Sequence, residues 1–374
     1  MKILKITSSN FKLCEDEFTI SFIPEANKTS EDKEFELHEI SDNLYTFKTL
    51  CFIGKNASGK TTASELLSVV YDIFSMFRIR NSYNVLKYWN KDFSIDVTFY
   101  EEGYLYRYTT DICKDNESNT IIFNNQKLYK REYMKSYAKM IFDYSRYEEV
   151  KINNTLPSDT SIVYLVLKNI TFRGIYCPSR DDVFSDYTAV FNVYKLLNND
   201  KVITAIIKMF DEHLDNIEMI NENKFKINYS DNTSREVTNN ELYNILSSGT
   251  TKGLGLFTYV VYSLVNGCDL IIDEIENHFH KSLVENLVNL YKDKSVNKNN
   301  ATLIFSTHYC ELLDLFNRTD NIYITKYDKN IYLENMHRSY DFRPELSKSR
   351  KFYSNTFNTD VNYDYLMNFK KELM

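Results

Sequence analysis

Glycine, proline and glutamine are scarce in this chain: 8 Gly and 4 Pro in 374 residues, with Gln126 the sole glutamine. That excludes a collagen-like or low-complexity polypeptide and makes a chance match to any glycine-bearing motif rare. Long apolar runs are missing too. The most apolar stretch, residues 254–265, is interrupted by Thr258, Tyr259, Tyr262 and Ser263 and is too short to cross a bilayer, so no membrane partner is expected. The cysteines Cys14, Cys51, Cys113, Cys177, Cys268 and Cys310 form no C-x-x-C pair, which argues against a disulfide framework or a zinc site. Basic charge is not in excess. A net charge of −7 speaks against a protein that coats nucleic acid, while leaving room for a local basic groove. The alternating start, Met1-Lys2-Ile3-Leu4-Lys5-Ile6-Thr7, reads as a strand and not as a signal peptide. A cytoplasmic protein is expected.

What is present is a soluble globular composition, 43% hydrophobic and 26% charged, long enough for two domains or one with a large insertion. With 30 Tyr and 25 Phe, aromatics supply much of the core. The stretch that organises the rest is Gly54-Lys55-Asn56-Ala57-Ser58-Gly59-Lys60-Thr61-Thr62. An apolar, β-branched run over 46–53 precedes it, and apolar residues at helical spacing over 63–74 follow. Strand, glycine loop and helix form the context in which G-x-x-x-x-G-K-[ST] is a phosphate site. Loop and helix N–H groups then point at one anion. Gly54 and Gly59 permit close approach of backbone to phosphate, Lys60 should reach the β- and γ-phosphates, and the Thr61 hydroxyl should ligate Mg²⁺. An ATP or GTP site follows.

Strands are predicted at 3–8 and 18–22, joined by a turn through Asn10-Phe11-Lys12. A polar loop is expected over 25–42, and a hairpin over 93–100 and 104–108, continued by 119–123. Charged helices are predicted at 130–150 and 189–214, a β-like piece at 174–179 and a second hairpin at 223–237. The Asn124-Asn125-Gln126 triplet reads as a hairpin tip.

Further on, Leu246-Ser247-Ser248-Gly249-Thr250 opens an apolar helix over 254–265, which a Ser/Gly cap alone could explain. An apolar strand then ends in Asp273-Glu274, and another over 301–306 ends in Thr307-His308. Asp273 is placed to serve the Mg²⁺ shell and Glu274 to polarise an attacking water. His308 could donate to a γ-phosphate. His278 and His280 lack the further ligands of a metal cage.

This order of motifs resembles the ATP-binding cassette superfamily in its structural-maintenance-of-chromosomes-like branch, over residues 1–110 and 240–335. The resemblance implies an α/β fold: an ABC-type P-loop ATPase head, with a mixed central sheet, an N-terminal antiparallel sheet and a mostly helical insertion. The implied division is an ATPase lobe at 1–120, an insertion at 121–238, a second lobe at 239–335 and a partner-binding tail at 336–374. It implies further that Ser247 and Gly249, with Ser248 between them as a further nucleotide-binding candidate, act in trans on the nucleotide of a second copy, giving a head-to-tail homodimer or a higher oligomer. The family's LSGGQ reads LSSGT here. The glutamine of its Q-loop is absent or replaced, with Ser179-Arg180-Asp181-Asp182 the candidate substitute. The short insertion and the tail resemble the AAA-type ATPases of anti-phage systems, such as abortive-infection, RloA-like, Septu and PARIS proteins, which work with a separately encoded nuclease or toxin. The alternative is a RecF-like repair ATPase that binds duplex DNA through Lys127, Lys130, Arg131, Lys135, Lys139, Arg146 and Lys151, a run that a solvated helix face would also explain. The insertion and the missing glutamine speak against a transporter subunit.

Overall fold

The computed structural model describes residues 1–79, 91–115, 120–152, 156–179, 186–196, 200–277, 279–341, 347–354, 357 and 363–373. The chain divides into two compact units, Met1–Arg173 with Ile304–Met374, and Gly174–Leu303.

The first unit opens with β1 (Lys2–Ser9) and β2 (Phe18–Ser21), joined by the predicted turn, in which Asn10 and Lys12 take positive φ. The stretch expected to be a polar loop instead holds α1 (Ser30–Phe35) and β3 (Leu37–Ser41). Its nucleus is a capping box in which Thr29 and Asp32 each accept the other's backbone N–H. Asp32 also holds the Arg318 guanidinium at 2.8 Å, and Asp320 grips it at 2.6 Å, with both side chains of each pair almost wholly buried. Truncating one partner strands buried carboxylates. Arg318→Ala is therefore expected to cost about 3–5 kcal/mol, read as a lowered midpoint in urea unfolding. An unchanged midpoint would show that the cluster adds nothing.

After β4 (Leu44–Phe47), β5 (Thr49–Ile53) leads to α2 (Lys60–Met76). This helix buries Leu66, Leu67, Val70 and Phe74, and Phe74 meets Phe99 and Tyr108 edge-on. Next come β6 (Phe93–Glu101), β7 (Tyr104–Asp115), β8 (Thr120–Glu132), the short β9 (Glu148–Glu149) and α3 (Tyr164–Leu167). Strands β2-β1-β6-β7-β8-β9 form one antiparallel sheet in that order. The predicted 93–108 hairpin is its centre. Of its predicted continuation, Asn119 lies outside the described residues and 120–123 begin β8.

Two expectations fail in this region. No helix forms over 130–150: β8 runs to Glu132, and 3-10 turns occupy Lys135–Met140 and Tyr144–Arg146. Arg107 and Lys5 stack over Tyr144, and Arg131 and Arg146 over Tyr137, so the aromatics draw these cations into local packing and not onto a solvated helix face. Nor is Asn124-Asn125-Gln126 a hairpin tip. It is a bulge inside β8, with Asn125 at φ 51° and the register slipping between Thr109 and Asp111. The extra residue shifts the buried alternation from Ile121 and Phe123 to Leu128. Gln126 is fully used there, accepting from Tyr108 Oη at 2.8 Å and the Ile162 N–H at 2.9 Å.

The second unit begins with β10 (Gly174–Cys177), followed by α4 (Tyr187–Leu196) and α5 (Asp200–Phe210). An antiparallel sheet of β11 (Leu214–Asn221), β12 (Lys224–Tyr229) and β13 (Ser234–Thr238) follows. The described residues of 121–238 are thus a mixture of strand and helix, and among them the insertion is not mostly helical. The unit continues with α6 (Asn239–Ile245), α7 (Ser248–Asn266), β14 (Asp269–Ile272) and α8 (Lys281–Lys292). Its core packs Tyr187, Phe191, Tyr194, Ile207, Phe225 and Leu254 together. Strands β10 and β14 pair in parallel, Gly174 opposite Asp269. Arg180, Asp181 and Asp182 of the candidate Q-loop substitute lie outside the described residues, as does His278.

The chain then supplies β15 (Leu303–Thr307), β16 (Ile322–Asp328) and β17 (Asn330–Asn335) to the first unit. There β15, β5, β16 and β17 lie in that order, with β5 and β16 parallel and β16 and β17 antiparallel. The tail carries α9 (Met336–Ser339), α10 (Lys348–Tyr353) and α11 (Tyr363–Glu372). Helix α10 is fastened to the first unit: buried Lys348 donates from Nζ to the Phe316 carbonyl at 2.7 Å, and Asp314 accepts its backbone N–H at 2.6 Å. No described helix is long and apolar enough to cross a membrane.

Candidate functional site

In the first unit the loop between β5 and α2 is shaped by two glycines and a neighbouring hairpin. A Cβ on Gly54 would lie 2.3 Å from Thr325 Oγ1, and one on Gly59 would lie 2.3 Å from Ile331 Cγ2. Gly59 also takes φ 108°, which an L side chain resists. Neither position tolerates a larger residue without displacing β16 or β17. Ser58 Oγ and Thr325 Oγ1 share a hydrogen bond at 2.5 Å, and Thr325 Oγ1 donates to the Ile53 carbonyl at 3.3 Å, so loop and strand end are fastened together.

Helix α2 starts at Lys60 with no side-chain cap, whereas Thr238, Ser247 and Asn335 each cap a helix of their own. Its first-turn N–H groups are thus not assigned to a capping side chain. Lys60 is 5% exposed. Its Nζ donates to the carbonyls of Lys55 at 2.9 Å and Gly54 at 3.0 Å, and stands 3.5 Å from His308 Nδ1. The structure therefore brings His308, at the end of β15, to the loop lysine across 248 positions of sequence. A neutral imidazole that receives the ammonium on Nδ1 carries its proton on Nε2, which is then a donor. Thr61 is exposed and Thr62 half-buried, while Lys55, Asn56 and Ala57 line the open side of the loop. Lys12, from the first turn of the chain, pairs with Glu65 of α2.

Asp273 and Glu274 belong to the second unit. Asp273 is wholly buried, and its N–H donates to the Cys177 carbonyl at 2.9 Å, carrying the β10–β14 ladder one step past the strand. The chain then turns sharply: Glu274 is half-buried and takes φ 50°, an uncommon conformation for a residue with a side chain. Asn277 Nδ2 donates to Glu274 Oε2 at 2.5 Å. A neutral amide thus sits on this carboxylate.

Helix α7, predicted from residue 254, begins at Ser248. Ser247 is its N-cap, accepting the Thr250 N–H at 3.0 Å and meeting Thr250 Oγ1 at 2.8 Å. Ser247, Ser248 and Gly249 are all exposed. A Cβ on Gly249 would meet only Ser247 Oγ, at 3.7 Å, so no close contact in the described chain requires glycine there.

Sequence reasoning missed Thr325, Tyr327 and Ile331, which flank the loop from β16 and β17. No pattern marks them; only the adjacency of β16 to β5 does.

A structural likeness extends to the "SMC head domain from Thermotoga maritima", with TM-score 0.42 and 11% identity over 90% of this chain and 99% of that one. Another extends to the "Crystal structure of the SmcHead bound to the C-winged helix domain of ScpA", with TM-score 0.48 and 10% identity over 89% of this chain and 97% of that one. No curated protein matches the sequence. The family described as "AAA domain, putative AbiEii toxin, Type IV TA system" matches residues 50–314. That span takes in the glycine loop, the Asp273-Glu274 strand end and His308, and the chain belongs to this AAA-domain family.

Proposed function

We propose that the protein is an ATPase that binds ATP at the Gly54–Thr62 loop, hydrolyses it to ADP and phosphate, and works as a homodimer to regulate a separately encoded effector. The observation that carries this reading is the setting of Lys60: a buried ammonium on the carbonyls of Gly54 and Lys55, 3.5 Å from His308, at the start of a helix without a side-chain cap. A polyphosphate is the ligand that such donors favour. The glycine cradle supports it, since any Cβ at Gly54 or Gly59 would displace the hairpin that holds the loop open. On this reading Thr61 and Asp273 would hold Mg²⁺ through hard oxygen donors of the kind it prefers, and the ion would supply neutralisation of phosphate charge. Glu274 takes the role of general base, and His308 that of donor to the γ-phosphate.

The homodimer is supported by Gly249. Its open surroundings and the exposure of Ser247 and Ser248 fit residues kept for a nucleotide held by another copy. The effector role rests on the resemblance to ATPases that work with a separately encoded nuclease or toxin; the family's description adds a type IV TA setting, with the AAA domain itself the putative toxin. The duplex-DNA alternative gains no comparable support: Lys130 sits over Tyr104 at 3.6 Å, Arg146 pairs with Asp143 at 2.9 Å, and Arg131 donates to the Met140 carbonyl at 3.0 Å.

The test is phosphate release from Mg·ATP by purified protein, followed against protein concentration. Release that rises faster than linearly with concentration is expected if two copies build each site. No release above background would end the ATPase reading. Failure to form a complex on co-expression with the neighbouring gene product would end the effector reading.

A further inference from the structure

A cavity of about 410 Å³ opens beside the glycine loop, lined by Lys55, Asn56, Ala57 and Ser58 on one side and by Thr325, Lys326, Tyr327 and Tyr332 on the other. Its size falls in the range of about 300–1,000 Å³ typical of small-molecule sites. Strand register shows which ring faces the loop. Residues two apart on a strand share a face, so Tyr327 lies on the same side of β16 as Thr325, whose hydroxyl bonds Ser58 at 2.5 Å. Ile331 stands directly opposite Tyr327 across the β16–β17 ladder, hence on that face too, and it is the residue a Gly59 Cβ would strike. Tyr327 therefore sits between two side chains that touch the loop, yet it is 56% exposed.

The cation in this wall is already occupied. Lys326 Nζ is 2.7 Å from Glu334 and donates to Tyr340 Oη at 3.0 Å, which argues against a second anion site. A phenol ring at the mouth of a cavity that continues a phosphate-binding loop suits a planar heteroaromatic ring carried on a polyphosphate.

We propose that Tyr327 is the stacking platform for the nucleobase of the bound nucleotide, and that the cavity between residues 55–58 and β16–β17 takes its nucleoside part. The proposal rests on the reading of the loop as a nucleotide site and assigns that site's specificity for a base. Calorimetry separates the two, with Mg·ATP and inorganic tripolyphosphate with Mg²⁺ as probes on wild type, Tyr327→Ala and Tyr327→Phe. Tyr327→Ala should lose about tenfold in ATP affinity, Tyr327→Phe should keep it, and tripolyphosphate should bind all three alike. Unchanged melting temperatures would confirm that the exposed ring is not needed for folding. An undiminished ATP affinity in Tyr327→Ala, or an equal loss for both probes, overturns the stacking role and leaves the loop's reading intact. Wild-type protein that binds neither probe removes that reading and the proposal with it.

Discussion

Lys60→Met should lose Mg·ATP affinity by about a hundredfold while the protein keeps its unliganded melting temperature. Methionine retains most of the stem that packs at the start of α2 and discards only the ammonium. A charge-assisted contact from that ammonium to phosphate is worth roughly 1.5–3 kcal/mol, and Lys55, the loop's other lysine, is an exposed residue on its open side. Thermal unfolding with and without nucleotide makes the comparison direct. At ATP about a hundredfold above its dissociation constant, wild type should gain about 2.7 kcal/mol of stability, and the variant almost none. A structural role for Lys60 predicts the reverse. Its Nζ bridges the carbonyls of Gly54 and Lys55, so if holding the loop were its task, the variant would melt early without nucleotide and still respond to ATP.

The loop itself was legible because its chemistry is local. Gly54, Gly59, Lys60 and Thr61 lie within eight positions, between an apolar strand and an amphipathic helix, and α2 begins at Lys60, slightly earlier than its apolar spacing suggested. The ends of β14 and β15 were legible for the same reason: an apolar run followed by polar residues is a strand tip whichever strands flank it. Three things were hidden. The fit of Thr325 and Ile331 against the two glycines depends on which strand lies beside β5, a contact about 270 positions away in sequence. The bulge at Asn125 depends on register with β7, and the Asn-Asn-Gln composition that suggested a turn serves a bulge equally well. The 130–150 stretch carries mixed charges at spacings a helix would accept, but its tyrosines stack on Arg107, Arg131 and Arg146, and this packing outweighed propensity. Helix α1 was overlooked despite a local signal, the Thr29-x-x-Asp32 capping box.

Glu274→Gln should leave ATP binding near wild type and slow phosphate release by about 10²–10⁴-fold, the usual contribution of a positioned general base. The substitution is chosen for what it preserves. Glu274 takes φ 50°, a conformation costing on the order of 1–3 kcal/mol that persists only where its surroundings enforce it. Glutamine bears the same strain, and its amide oxygen can still accept from Asn277 Nδ2, which now reaches Glu274 Oε2 at 2.5 Å. Backbone and amide contact are thus held constant while the basic lone pair is removed. Glycine at this position would relax the backbone as well, and its kinetics would mix the two effects. If ATP closes a pair of copies and hydrolysis reopens it, the glutamine variant should also accumulate as a dimer with ATP, visible by light scattering, and remain monomeric with ADP. Turnover at the wild-type rate would transfer the base role elsewhere. Slow turnover without dimer accumulation would keep Glu274 as the base and separate hydrolysis from assembly.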